Sequence, residues 1–143
     1  VVPFRLHAAH LNHMIRGAGA DEDERFRISA AAAISKIDPR QIDGMLPILI
    51  TGLDSENPLW RGMAAEAIGD IGEAAAAVPK LEEMLRDDCA GLRCEAAVAV
   101  SRITGDPAHA VSTGVELLDA DEWLDRYVGA EHLGLLGPVA GSQ

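Results

Sequence analysis

The side chains capable of chemistry are few, and their spacing limits what each group would do. His7, His10 and His13 form an H-x2-H-x2-H series. Residues three apart are neighbours on a helix, so His7 and His10 are the candidates to share a metal ion. His13 would sit about 120° round the helix from His7, which spoils a three-histidine tripod. No further ligand stands at suitable spacing, although Asp21, Glu22, Asp23 and Glu24 follow. Solvated or packed histidines, with no metal site, are the expectation. The acidic run has a simpler reading. Negative charge at a helix start is favourable by about 0.3–1 kcal/mol, and the run lacks the alternating oxygen ligands and central glycine of a calcium loop.

Cys89 and Cys94 are spaced C-x4-C with no second pair, which reads as two free thiols rather than a zinc site. His109 and Ser112 are near neighbours on one helix, but no third partner or oxyanion donor accompanies them. Glycine-rich phosphate loops, a dinucleotide fingerprint and a G-x-S-x-G elbow are all missing. The expectation is a protein without catalytic residues and without a cofactor.

Composition narrows the partner. The chain has 143 residues, 12 basic and 23 acidic, for a net charge of -11. Phosphate binding needs a basic surface, so nucleic acid is excluded as the expected partner. An anionic membrane surface is disfavoured for the same reason. No apolar run reaches the roughly 18 residues of a membrane span, and the first residues lack signal-peptide form. The expected compartment is cytoplasmic. Because the chain starts on Val1 and stops within a repeat phrase, it reads as a fragment or a processed product. Hydrophobic residues make up 48% and aromatics only 3%, so the core must be built from Ala, Leu, Ile and Val. An alanine-rich chain with little β-rich sequence points to closely packed helices.

The elements that position these residues recur. Arg27, Arg61, Arg93 and Arg126 are separated by 34, 32 and 33 residues, and each opens a similar phrase. Small residues follow three and four places later: Ala30 and Ala31, Ala64 and Ala65, Ala96 and Ala97, Gly129 and Ala130. An aliphatic residue follows at seven places (Ile34, Ile68, Val100, Leu133) and another at ten (Ile37, Ile71, Ile103, Leu136). These positions form one stripe on a helix of period 3.6. Each phrase then meets a breaker: Asp38-Pro39, Gly72, Gly105-Asp106-Pro107 or Gly137-Pro138.

A second amphipathic segment follows the first three breakers. Its apolar positions align as Leu46, Val78 and Val111, then Ile50 and Val115, then Leu53, Leu85 and Leu118. Pro47 and Pro79 occupy matching places, and proline suits only a first helical turn. The second helices are therefore expected at 44–53, 76–86 and 108–119, with Asp106 and Pro107 starting the last. Antiparallel pairs of this length cannot bury their apolar faces alone and must stack. The predicted fold is all-α, an α-solenoid in the form of a right-handed superhelix. Residues 1–24 read as an N-terminal capping helix (3–16) and an acidic loop. Residues 25–143 read as the repeat array, with units at 27–58, 59–90 and 91–122 and a partial one at 123–138.

The phrase from Arg61 to Gly72, RGMAAEAIGDIG, and the following Ala77-Val-Pro-Lys-Leu81 resemble HEAT-like repeats, notably the short bacterial kind found in the phycobilisome lyase group. The resemblance covers residues 27 to about 137. It implies a scaffold whose second helices line a concave, partner-facing surface, and no enzymatic activity. It also raises one alternative, an accessory subunit or lyase acting on a tetrapyrrole chromophore.

Once the aligned apolar stripe is assigned to the core, the positions left for a protein partner are Ile48, Thr51, Lys80, Glu83, Arg86, Ser112 and Glu116. The repeated arginines read as a structural ladder. Each follows an aspartate by six or seven residues (Asp21, Asp54, Asp87, Asp119), which can accept from the guanidinium or from helix-start N–H groups. Trp60 and Trp123, just ahead of first helices, read either as interface anchors or as packing between repeats. The stripe of Ala130, Leu133 and Leu136 in the broken fourth repeat offers an edge for a second copy, making a homodimer a further alternative.

Overall fold

The computed structural model describes residues 22–136. The expected capping helix at 3–16, with His7, His10 and His13, and Asp21 lie outside the described residues. Every regular element among the described residues is helical: α1 (Glu22–Ile37), α2 (Ile42–Gly52), α3 (Pro58–Ile71), α4 (Val78–Met84), α5 (Ala90–Thr104), α6 (Ala108–Leu118) and α7 (Trp123–Leu136). Short 3-10 turns at Pro39–Gln41 and Ala75–Ala77 lead into α2 and α4. The chain divides into two compact units between Ile71 and Gly72.

In the first unit α1, α2 and α3 pack on one another. The core takes Ile28, Ala31 and Ile34 from α1, Met45 and Leu49 from α2, and Ala64, Ala65 and Ile68 from α3. Burying each Ile or Leu of this set contributes about 1.5–3 kcal/mol. Gly52 closes the packing of α2 on its neighbours. A Cβ there would lie 2.9 Å from Ile28 Cδ1 and 3.1 Å from Ala64 Cβ, so glycine lets three helices converge. At the rim, Lys36 Nζ of α1 meets Asp70 Oδ2 of α3 at 2.9 Å.

In the second unit α4 packs on α5, α5 on α6, and α7 on both α5 and α6. Leu81 and Met84 of α4, Ala96, Ala97 and Val100 of α5 and Leu117 of α6 are buried. Gly105 ends α5 at φ 76°, and its N–H bonds Ser101 O at 2.9 Å. Glycine takes this left-handed cap without a Cβ penalty. Asp106 Oδ1 then accepts from Ala108 N–H at 2.9 Å and starts α6.

Three local readings need correction. α1 begins at Glu22, so part of the stretch read as loop to residue 24 is helix. α2 begins at Ile42 rather than near Gly44, which places Pro47 inside the helix instead of in its first turn. The missing N–H leaves the Asp43 carbonyl without its helical donor, and Asp43 and Gly44 are exposed, so water reaches that carbonyl. Pro79 does fall in the first turn of α4.

The largest correction concerns the second helices. Their buried face runs one residue earlier than the aligned aliphatics suggest. Met45, Leu49 and Gly52 are buried in α2, Ala77, Leu81 and Met84 in and just before α4, and Ala110, Gly114 and Leu117 in α6. Of the aligned aliphatics Leu53 is buried as expected, but Leu46, Ile50, Val78, Leu85 and Val111 are only partly covered, and Val115 and Leu118 are exposed. Leu49, Leu81 and Leu117 fill the inward face between small or flexible residues (Met45, Gly52, Ala77, Met84, Ala110, Gly114), while most of the aligned aliphatics occupy the shoulder of the contact.

Candidate functional site

The repeated arginines act on the loops that precede them. Arg61, Arg93 and Arg126 are each the fourth residue of their helix. In each case Nη1 reaches back to two successive main-chain carbonyls. Arg61 donates to Ser55 O at 2.9 Å and Glu56 O at 3.3 Å. Arg93 donates to Asp87 O at 2.7 Å and Asp88 O at 3.2 Å. Arg126 donates to Ala120 O at 2.8 Å and Asp121 O at 2.6 Å. A guanidinium is always charged and carries several donors in a fixed fork, so it can close a turn whose carbonyls lack helical partners. The acceptors include the loop's own carbonyls and not only the aspartate side chains that the spacing suggests. Asp87 Oδ1 accepts from Cys89 N–H at 2.9 Å, and Asn57 Oδ1 accepts from Leu59 N–H at 3.0 Å. Both set the start of a first helix. Arg25 lies with its guanidinium carbon 5.6 Å from the Trp60 ring centroid, a cation–π contact between α1 and α3. Trp60 is half-buried, whereas Trp123 is exposed.

The expected partner-facing residues divide between the two units. In the first, Ile48 is half-buried and Thr51 exposed. Thr51 Oγ1 donates to Pro47 O at 2.9 Å. Both residues line a shallow cleft of about 270 Å³ with Glu24, Arg27, Ile28, Pro47 and Gly52. In the second unit, Glu83, Arg86, Ser112 and Glu116 are exposed and Lys80 is half-buried. Arg86 lies just past the end of α4, in the turn to α5. These side chains offer mixed charge on preformed helices.

The groups considered for chemistry take ordinary positions. Ser112 Oγ donates to the main-chain carbonyl of His109 at 3.2 Å rather than to its ring, so the pair lacks nucleophile–base geometry. Cys89 and Cys94 are both free. Cys94 packs against Ala90, Leu117 and Val128, and burial pushes its thiol up to about 11, with Glu95 adding to the effect. It is a neutral thiol near pH 7 and a poor nucleophile. Among the described residues no group of three or more His, Cys, Asp or Glu is placed to hold a metal ion. No described helix is long and apolar enough to cross a membrane.

Two residues, His132 and Gly114, escaped the sequence reading, which named Gly129 only as a small packing position. His132 of α7 is buried, and its Nε2 donates to Ala110 O of α6 at 2.8 Å. Gly114 and Gly129 make room for this contact. A Cβ on Gly129 would lie 2.7 Å from Leu117 Cβ and 2.9 Å from Gly114 O, and one on Gly114 would meet Leu133 at 2.6 Å. Leu133 therefore turns inward, and the expected edge stripe of Ala130, Leu133 and Leu136 is not one outward surface. Only a glycine at each of two facing positions signalled this close crossing in the sequence.

Helix pairs with an arginine closing each entry loop, and alanines at the third and fourth places after it, agree with a family model. The model for HEAT repeats matches residues 11–102 and again 46–134. The chain belongs to the HEAT-repeat family. HEAT repeats build α-solenoids, so the fold is all-α of that class. HEAT repeats generally serve as protein-interaction scaffolds and are typically non-catalytic. No curated protein matches the chain.

Proposed function

We propose that this HEAT-repeat chain is a non-catalytic scaffold that holds a protein partner on the solvent-facing sides of its second helices. The observation that carries the reading is the burial pattern. The sides of α2, α4 and α6 that carry Leu49, Leu81 and Leu117 are committed to packing, which leaves Thr51 of α2, Glu83 of α4 and Glu116 of α6 exposed in their respective units. These helices are ordered before binding, so association need not bear the cost of forming them. Mixed charge supports orientation and selectivity more than raw affinity. The net charge of -11 favours a partner with a basic surface.

The test is site-specific photo-crosslinking in cells that express the chain. A photoreactive residue at Thr51 of the first unit, or at Glu83 or Glu116 of the second, should give a discrete adduct. The outward first-helix positions Ala33 and Glu66 should give much less of it. A Glu83→Lys, Arg86→Glu double variant should weaken the adduct. Equal crosslinking from first and second helices, or none from the second helices, would overturn the proposal.

A further inference from the structure

We draw no further inference here: the strongest candidate, the shallow cleft between α1 and α2 lined by Glu24, Arg27, Ile28, Pro47, Ile48 and Thr51, presents only polar side chains that are partly or fully exposed, and nothing in the structure shows what covers it.

Discussion

The first unit and the α6–α7 hairpin solve the same packing problem with different chemistry. In α1–α3 a large aliphatic residue, Leu49, fills the middle of the second helix and is fully buried. At the equivalent place on α6 the residue is Gly114, and α7 brings Leu133 and His132 over it. One region is a dry aliphatic core. The other is a close backbone crossing that includes a buried imidazole bonded to a carbonyl. The repeat therefore conserves space rather than residue type: volume removed from one helix returns on the next. The two regions should also fail differently, the first through cavities and the second through overpacking.

The largest expected effect is in the first region. Leu49→Ala should cost about 2–5 kcal/mol in urea unfolding, because Leu49 is fully buried and the helices around it cannot collapse into the gap. A cost below about 1 kcal/mol would show that this core is loosely packed. Next is Gly129→Ala. The added methyl meets Leu117 Cβ and the Gly114 carbonyl, so about 1–3 kcal/mol should be lost. Gly134→Ala on the same helix meets nothing within 4 Å and should be neutral or stabilising by up to about 1 kcal/mol. Opposite signs for the two glycines would locate the crossing; matching signs would argue against it. His132→Leu should cost about 1 kcal/mol, since it removes one buried hydrogen bond while retaining apolar volume.

The smallest effect is a pH dependence in the first unit. Arg40 Nε and Nη2 bond the two carboxylate oxygens of Asp38 at 2.8 and 3.1 Å. This pairing holds the Asp38 carboxyl below the usual carboxylate range, against the opposing effect of desolvation. A lowered folded-state pKa stabilises the protein above the unfolded value of about 3.9. That contribution is lost as pH falls through the lower folded value. Thermal melts between about pH 5 and pH 2 should therefore show a steeper loss for the parent than for Asp38→Asn. Parallel curves would show that the pair carries no such linkage.

Much of this fold was legible because a repeat states its pattern several times. Alanines three and four places after each of the first three arginines, and the aliphatics at seven, are buried as the phrase implies. The place at ten was less informative, since Ile37 is 51% exposed. The second helices misled by one residue for a physical reason. Aliphatics draw the eye to 46 and 50, which are only partly covered, while the neighbouring inward places include small residues such as Gly52, Ala77 and Ala110. The candidate interaction residues are what remains once the core is assigned, so they depend on that register. The arginine clamps were visible as a recurring residue, but their carbonyl acceptors had no signature, because every residue carries a carbonyl.

The most direct measurement compares two adjacent leucines. The assignment of packing and partner faces rests on which side of α6 turns inward, and Leu117 is 2% exposed where Leu118 is 41% exposed. Leu117→Ala should destabilise the chain by about 2–5 kcal/mol in denaturant unfolding, and Leu118→Ala by less than about 1 kcal/mol. A larger loss at Leu118, or equal losses at both, would rotate the second helices and overturn the assignment of their binding faces.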